Sequence, residues 1–270
     1  CYETLDYIFP PAYLGESCMS YVCEDARKVV NVPLINAGTH NPESALELIE
    51  SGNVDFVSFG RALIADPMMP KKLMKNHRED VRPCLRCNEY CIGRIWNHHT
   101  KLGCAVNPQA MEEVRFKLEK TEDPQNVVVI GAGPGGMEAA RVAALEGHHV
   151  TLFEKEDHLG GTMGDICTAK FKTNIKQLTK WYQVQLEKLP IDIHLNTTIT
   201  GDEEILKTCD YIIVSTGALP FTPAIPGIDG DNVVNIVEAH RNESLIKGNK
   251  IIVCGGASGL DGAIEMAEEM

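Results

Sequence analysis

Four cysteines in one short stretch are the residues best suited to chemistry in this sequence. They follow the spacing Cys84-x2-Cys87-x3-Cys91-x12-Cys104, so three thiolates can surround one face of a metal centre while the fourth closes it from a loop. Four thiolates suit a [4Fe–4S] cluster or a tetrahedral zinc ion. Zinc ribbons usually bind the ion with two CxxC pairs, whereas here Cys104 is isolated from the other three cysteines. The pattern favours an iron–sulfur cluster over zinc and over ordinary free cysteines.

A glycine-rich turn has the features of a dinucleotide site. Gly131-x-Gly133-x-x-Gly136 follows the apolar run VVVI and precedes a helical pattern. Gly131 permits a tight turn, Gly133 lets the backbone approach a pyrophosphate, and Gly136 lets the helix pack on the strand. Glu154 ends the next predicted strand, where a carboxylate would accept hydrogen bonds from ribose hydroxyls. These residues predict a bound dinucleotide without separating FAD from NAD.

A second glycine-rich turn is less regular. Cys254-x-Gly256-x-x-Gly259 follows the run KIIV and precedes another helical pattern. Cys254 stands where the first glycine of such a turn is expected. The sequence leaves open whether this turn binds a nucleotide or is only structural.

Two predicted strand ends carry glycine, at Gly38 and at Gly60-Arg61. A parallel barrel commonly binds phosphate with the loops after its strands 7 and 8. Two such loops would offer backbone N–H groups, and Arg61 would add a bidentate guanidinium. A Gly-Arg pair is also common in ordinary turns, so this site and a plain turn both remain open.

The elements that position these residues alternate between helix and strand. In the first 76 residues we predict helices over 16–30, from Pro42 to Gly52 and over 69–76, with strands over 32–38 and 55–60. The first helix is expected to turn one face inward, formed by Cys18, Val22, Ala26 and Val29. Repeated βα units this short fit a parallel barrel or a doubly wound sheet.

The remainder of the chain contains a connector and a second α/β region. Residues 77–125 are predicted to be a metal-bearing connector that ends in a charged helix over 110–124. From residue 126 the α/β pattern restarts, with an amphipathic helix over 172–189 between strands. The predicted strands are NVVVI, HVTLFEK, IDIHLN, YIIVSTG and KIIV.

The composition argues against several classes of protein. Lys and Arg number 25 against 38 Asp and Glu, giving a net charge of −13, which disfavours binding to nucleic acid or to an anionic membrane. No apolar run reaches the roughly 18 residues of a membrane span, and no signal peptide is apparent. Clustered cysteines fit a reducing compartment better than a disulfide scaffold, so we expect a cytoplasmic protein. The absence of an initiator Met suggests part of a longer chain.

Taken in order, these segments resemble the old yellow enzyme-like iron–sulfur flavoenzymes. That family includes 2,4-dienoyl-CoA reductase, 2-enoate reductase, bile-acid enoate oxidoreductases and trimethylamine dehydrogenase. The resemblance covers essentially the whole chain, and its most specific part is RPCLRCNEYCIGR followed by LGCAVNP and then VVVIGAGPGG. Two departures are Cys254 in place of a glycine and a loop after Gly38 that is one residue short.

The resemblance implies an α/β fold with four parts. Residues 1–80 would be the C-terminal part of an FMN-binding (β/α)8 barrel, and 81–124 a Cys-rich [4Fe–4S] connector. Residues 125–248 would form a Rossmann-like FAD-binding domain, and 249–270 the start of an NAD(P)H-binding domain. The other six barrel strands, including the family's catalytic proton donor, would lie outside this sequence.

The resemblance also implies roles for individual residues. The cluster ligands would be Cys84, Cys87, Cys91 and Cys104, and the FMN phosphate loops would contain Gly38, Gly60 and Arg61. The FAD site would contain Gly131, Gly133, Gly136, Glu154 and Gly161, with Thr216 and Gly217 on the strand that leads into the nicotinamide domain. The NAD(P)H turn would contain Gly256 and Gly259.

The implied activity is reduction of an activated C=C bond in an enoate, enone or acyl-CoA. Electrons would pass from NAD(P)H through FAD, the cluster and FMN. Two alternatives stay open: an amine dehydrogenase of the trimethylamine dehydrogenase type, and an FAD/iron–sulfur electron-transfer subunit. The expected partner is a small molecule, with no nucleic acid and no membrane, and a homo-oligomer is left open. The 270 residues alone are expected to be inactive.

Overall fold

The computed structural model describes residues 5–168, 171–248 and 250–255. The chain divides into two compact units. The first unit comprises Cys1–Glu122, Leu145–Gly147 and Phe171–Leu189, and the second comprises Asp123–Ala144, His148–Lys170 and Pro190–Met270. A helix within 171–189 thus belongs to the first unit, although its sequence lies between two strands of the second.

Within the described residues, the helices are short except for two. In chain order they are α1 (Leu5–Ile8), α2 (Ser20–Arg27), α3 (Pro42–Glu50), α4 (Arg61–Ala65), α5 (Met69–Met74), α6 (Arg94–His98), α7 (Pro134–Glu146), α8 (Thr162–Asp165), α9 (Thr173–Glu187), α10 (Glu204–Thr208) and α11 (Ile236–Arg241). The strands are β1 (Ile35–Ala37), β2 (Phe56–Ser58), β3 (Asn126–Ile130), β4 (His149–Phe153), β5 (Ile191–His194) and β6 (Tyr211–Val214). None of these helices is both long and apolar enough to cross a membrane.

The first unit contains a short parallel pair, β1 beside β2, with α3 as the crossover between them. Helix α3 begins where predicted because Asn41 and Ser44 form a reciprocal cap. The Asn41 side chain accepts from the Ser44 N–H at 2.7 Å, and the Ser44 hydroxyl accepts from the Asn41 N–H at 3.1 Å. Both predicted strands are confirmed, though each is shorter than expected. The side chains of Ile35 and Phe56 remain exposed.

The first predicted helix is wrong in length and in its buried face. Helix α2 spans only Ser20–Arg27, because Ser17 just before it adopts a left-handed backbone conformation with φ of 51°. Its buried residue is Cys23, whose sulfur accepts a 3.1 Å hydrogen bond from Asn36 of β1. Val29, expected to be buried, is 82% exposed. The contact with β1 therefore decides which face of α2 turns inward.

Two other predicted elements are also wrong. Residues 110–124 form turns rather than a charged helix, and Met111 has a left-handed φ of 65°. Their apolar side chains bury little, Val114 being 94% exposed, so a helix there would lack the packed face that stabilises most helices in proteins. The expected strand KIIV is likewise irregular over the described residues 250–255.

The second unit is built on a parallel sheet with strand order β5-β4-β3-β6. The central strand β3 is apolar because both of its faces are covered, and Val127, Val128 and Val129 are buried. Helix α7 follows β3 and buries Met137 and Ala140. The strand order reverses beside β3, and ligands of open α/β sheets bind at such reversals, beyond the carboxyl ends of the strands.

Candidate functional site

The four predicted metal ligands line one small cavity in the first unit. Arg86 and Asn88 have left-handed φ values of 55° and 59°, which let the chain reverse between successive cysteines. Three residues separate Cys87 from Cys91, one more than separate Cys84 from Cys87. The additional residue is accommodated in a π-helical turn over Glu89–Gly93, in which the Gly93 N–H donates to the Asn88 carbonyl at 2.7 Å. Cys104 completes the lining of the cavity from the far side of the loop.

Two of the thiols in this cavity have raised pKa values, although Cys84 is only half-buried and Cys87 is exposed. Desolvation of the sulfur atoms raises the pKa of Cys84 to about 11 and also raises the pKa of Cys87. The Arg86 backbone N–H donates to the Cys84 sulfur at 3.4 Å. Thiols with raised pKa values stay protonated at neutral pH, and a bound metal would take the place of those protons.

The spacing of the sulfur atoms tests which metal they could hold. A tetrahedral zinc ion with bonds of about 2.3 Å holds its sulfurs about 3.8 Å apart. In the described part of the chain, three ligand atoms come within 4.8 Å of one another only at His77, Glu79 and Asp80, so no three of the cysteine sulfurs are that close. In any set of three cysteine sulfurs, at least one pair is therefore more than 4.8 Å apart. In the His77 group, both carboxylates already contact Lys188, at 3.3 and 2.6 Å.

A buried arginine joins the two ends of the cysteine segment. Arg82 donates to the Val106 carbonyl at 2.8 Å and to the Asn107 side chain at 3.3 Å, two and three residues after the last cysteine. Its backbone N–H donates to the buried carboxylate of Asp66 at 2.8 Å, and its guanidinium lies 4.5 Å from the ring centre of Trp181. The cysteine segment is therefore a closed loop fastened at its base.

A second buried arginine lies inside the loop, between two of the cysteines. Arg86 is 5% exposed and donates to the Asn174 side chain at 2.8 Å and to the Gly15 carbonyl. Asn174 in turn donates to the Cys84 carbonyl at 2.8 Å. Burial lowers the pKa of Arg86, but a guanidinium in a protein keeps its charge.

A larger cavity of about 820 Å³ in the same unit collects the predicted phosphate loops. Gly38, Gly60 and Arg61 all line it, and its volume falls within the range of cofactor pockets. Arg61 also lines the cysteine cavity, and its guanidinium donates to the Pro10 carbonyl at 2.9 Å and to the Asn88 side chain. One arginine thus borders both cavities.

The glycines of the first turn are required by close contacts. A Cβ at Gly136 would lie 1.8 Å from the Gly131 carbonyl oxygen, and one at Gly131 would lie 2.5 Å from the Ser215 oxygen. A Cβ at Gly133 would meet no atom within 4 Å, which leaves room on that side of the backbone for a pyrophosphate. A Cβ at Gly161 would meet Gly133 at 3.0 Å.

Glu154 lies at this turn and is 5% exposed. Its two oxygens accept from the Ala132 N–H at 2.6 Å and the Glu156 N–H at 3.0 Å, which leaves each oxygen further lone pairs. Thr216 follows β6, and its Cα would be 3.1 Å from a Cβ at Gly131. The predicted residues thus gather at the carboxyl ends of β3, β4 and β6, with Gly217 next in sequence. Gly256 and Gly259 lie outside the described residues.

The sequence pattern did not predict a role for three polar residues near the cysteines. Arg86 carried a weak signal, because a charged residue is unusual inside a short cysteine loop. For Asn88, the one indication of a special role was that asparagine adopts left-handed backbone conformations more readily than most residues. Asn174 gave none, since it is 90 residues from Cys84 and looks like any polar residue of an amphipathic helix.

Known families match consecutive parts of the chain. The NADH:flavin oxidoreductase / NADH oxidase family matches residues 14–80. The pyridine nucleotide-disulphide oxidoreductase family matches residues 102–205 and 125–269. The boundary between these matches falls in the segment that contains the four cysteines.

Individual relatives align with nearly the entire chain. An NADH oxidase of Thermoanaerobacter brockii is 34% identical over 99% of this chain and 42% of its own length. A cinnamate reductase of Clostridium sporogenes is 38% identical over 94% of this chain and 38% of its own. A solved 2-naphthoyl-CoA reductase is 28% identical, with a TM-score of 0.84 over 96% of this chain and 40% of its own. Amine dehydrogenases also occur among the relatives.

The chain spans about two fifths of the length of these relatives. Within that span, the match to the NADH:flavin oxidoreductase / NADH oxidase family precedes the matches to the pyridine nucleotide-disulphide oxidoreductase family. The α/β structure with parallel sheets agrees with the fold implied by the motifs. On these grounds the chain belongs to the old yellow enzyme-like flavin/iron–sulfur oxidoreductase family.

Proposed function

We propose that the whole protein is an NAD(P)H-dependent oxidoreductase that reduces an activated C=C bond of an enoate, enone or acyl-CoA, and that this chain carries electrons to the reducing flavin. One observation supports this most directly: the cysteine cavity and the 820 Å³ cavity are both lined by Arg61. A metal centre and a flavin bound there would be neighbours. The cinnamate and naphthoyl-CoA reductases among the similar proteins agree with such a substrate class.

Cys84, Cys87, Cys91 and Cys104 would hold a [4Fe–4S] cluster. Such a cluster supplies transfer of one electron at a time. It would therefore connect two flavins, each of which accepts two electrons in total. The sequence spacing, which lacks the two CxxC pairs usual in zinc ribbons, favours a cluster over zinc. The Arg86 N–H already donates to the Cys84 sulfur at 3.4 Å, and hydrogen bonds of this kind influence the potential of a cluster.

Two sets of residues would bind flavins. Gly38 and Gly60 would offer backbone N–H groups to the FMN phosphate, with Arg61 as its cation. The FAD site would consist of Gly131, Gly133, Gly136, Glu154, Gly161, Thr216 and Gly217. Gly256 and Gly259 would bind NAD(P)H. Metal-binding and free thiols fit a reducing compartment, so a cytoplasmic location is part of the proposal.

The first test is metal and sulfide analysis of the full-length protein prepared without oxygen. We expect about four iron and four sulfide per chain, with broad absorbance near ~400 nm. Cys87→Ser should abolish retention of the cluster. Cys167→Ser is the matched control, because Cys167 is buried away from the cysteine cavity and its thiol donates to the Gly164 carbonyl at 2.9 Å. Stoichiometric zinc without iron would contradict the cluster.

The second test separates the candidate activities. The full-length protein should oxidise NADH or NADPH when cinnamate or a dienoyl-CoA is added, and extraction should release both FMN and FAD. Oxidation of secondary amines with an external acceptor, and no reduction of enoates, would favour the amine dehydrogenase instead. Release of FAD without FMN would favour an electron-transfer subunit.

A further inference from the structure

Arg86 is a buried charge within the cysteine loop. It lies between Cys84 and Cys87 in sequence, and its side chain is 6% exposed. Its guanidinium has a carbonyl and an amide as close partners, while the nearest carboxylate, that of Glu16, is 3.9 Å away. Its Nε atom is buried without a hydrogen-bond partner. Glu16 compensates only part of this charge, and burying the remainder is costly.

The Arg86 backbone N–H donates to the Cys84 sulfur at 3.4 Å, and the positive charge near this sulfur comes from Arg61 and from the Arg86 guanidinium. Asn174 fixes it there, because one side-chain amide both accepts from Arg86 and donates to the Cys84 carbonyl, each at 2.8 Å. The charge and the first cysteine are thus held by the same residue of α9. Neither partner can move without breaking a buried hydrogen bond.

A fixed positive charge beside thiolate ligands has a definite effect on a cluster. A [4Fe–4S] cluster gains one negative charge when it accepts one electron, so a nearby cation stabilises the reduced form more than the oxidised form. The net charge and the hydrogen bonds around a cluster are the means by which a protein sets its potential. A charge held in a buried site acts more strongly than one in water.

We propose that Arg86, held by Asn174, is a positioning residue that raises the reduction potential of a cluster bound by the four cysteines. The inference rests on the proposed [4Fe–4S] cluster. In this arrangement α9 has a second role beyond packing, because it sets how readily electrons enter the cysteine loop.

The test is a redox titration of the full-length protein, with the reduced cluster followed by electron paramagnetic resonance. Arg86→Gln should lower the equilibrium constant for one-electron reduction about tenfold, which corresponds to ~59 mV. Arg86→Lys keeps the charge and should recover most of that shift. Asn174→Ala should lower the potential by a smaller amount, because the charge remains but loses its anchor. Lys176→Gln removes a charge from an exposed position of the same helix and should change nothing.

Iron and sulfide analysis accompanies each titration. A full cluster with an unchanged potential in Arg86→Gln would overturn the inference. If Arg86→Gln loses iron, Asn174→Ala decides: a lowered potential supports the inference, whereas an unchanged potential or loss of iron there too would overturn it. Absence of iron from the unmodified protein would instead contradict the proposed cluster itself, so the two failures are distinguishable.

Discussion

At the scale of single residues, the glycines of the nucleotide turn differ in whether they leave space for a side chain. Gly131 and Gly136 are in direct backbone contact across the turn, and any side chain at Gly136 would collide with the Gly131 oxygen. Gly135 lies between them in sequence but has no neighbouring atom within 4 Å of a Cβ placed there. Two adjacent glycines should therefore respond in opposite ways to the same substitution.

Gly136→Ala should destabilise the protein by about 1–3 kcal/mol, because the turn and the start of α7 must separate to admit the methyl group. We expect a lower midpoint in thermal unfolding and less FAD on extraction. Gly135→Ala is the control, and it should be neutral or stabilising because alanine favours a helix more than glycine does. Equal behaviour of the two variants would argue against the close packing described for this turn.

Residue patterns predicted this turn and the cysteine loop well, because both depend on local backbone chemistry. The glycine spacing dictates the turn, and the cysteine spacing dictates the loop. Arg86 and Asn174 could not be predicted in the same way. Their roles depend on a contact between residues far apart in sequence, and neither has a pattern that marks it.

At the scale of elements, helix α9 is the most informative. The sequence predicts it over 172–189 with Ile175, Leu178, Tyr182 and Leu186 on its apolar face, and the structure has it over Thr173–Glu187. Leu178, Tyr182 and Leu186 are buried, whereas Ile175 is only partly buried. Trp181 donates to the Asp80 carbonyl at 2.9 Å, and Gln185 donates to the Asp80 side chain at 2.8 Å. Periodicity predicted the buried face of α9 but could not say that it would pack against the segment before the cysteines.

Asp80 makes this packing sensitive to acid. Partial burial alone would raise the pKa of Asp80, but hydrogen bonds from Lys188 and Gln185 outweigh it and keep the pKa below the usual 3.8. A carboxyl group with a lowered pKa stabilises the fold above its unfolded pKa, and the stabilisation is lost as the pH falls through the folded pKa. The contribution should be about 1 kcal/mol or less, as for partly exposed ion pairs.

Urea denaturation, followed by tryptophan fluorescence, measures this contribution. Asp80→Asn should be less stable than the unmodified protein at pH 7, and the difference should shrink below about pH 4. Asp229→Asn removes a charge from an exposed position and should show no such dependence. A difference for Asp80→Asn that persists unchanged at pH 3 would contradict the assigned role.

Elements whose signals are local were predicted more accurately than those that depend on packing. The prediction of helix α3 was correct because a cap, a proline and an apolar face within ten residues all indicate the same helix. The helix expected over 110–124 was wrong because charged residues alone do not supply a face to bury. The face of α2 was wrong because Asn36, on a neighbouring strand, selects Cys23 rather than the more apolar Val22 and Val29.

At the scale of the whole molecule, charge is distributed unevenly. The chain carries a net charge of −13, yet two of the three buried arginines among the described residues, Arg82 and Arg86, flank the first cysteine. A centre with four thiolates adds negative charge to an already acidic chain. The buried arginines offset that charge where it is concentrated.

The 270-residue polypeptide by itself should not reduce cinnamate with NADH. Its β1 and β2 form a two-stranded sheet with Ile35 and Phe56 exposed, whereas its relatives are more than twice as long. We expect no NADH oxidation above background when cinnamate is added, and low solubility caused by the uncovered strands. The full-length protein is the control, and steady turnover by the short polypeptide would contradict the prediction.

The position of Asn174 has a consequence for how the protein is made on the ribosome. The amide that fixes Arg86 and the Cys84 carbonyl is synthesised 90 residues after Cys84, which corresponds to a delay of roughly 5 to 20 seconds at typical translation rates. During that interval the nascent cysteine loop lacks its anchor from α9. Delivery of a metal centre during translation would therefore meet a loop that is fastened at its base by Arg82 but not yet held by Asn174, and the arrival of α9 would add this second anchor.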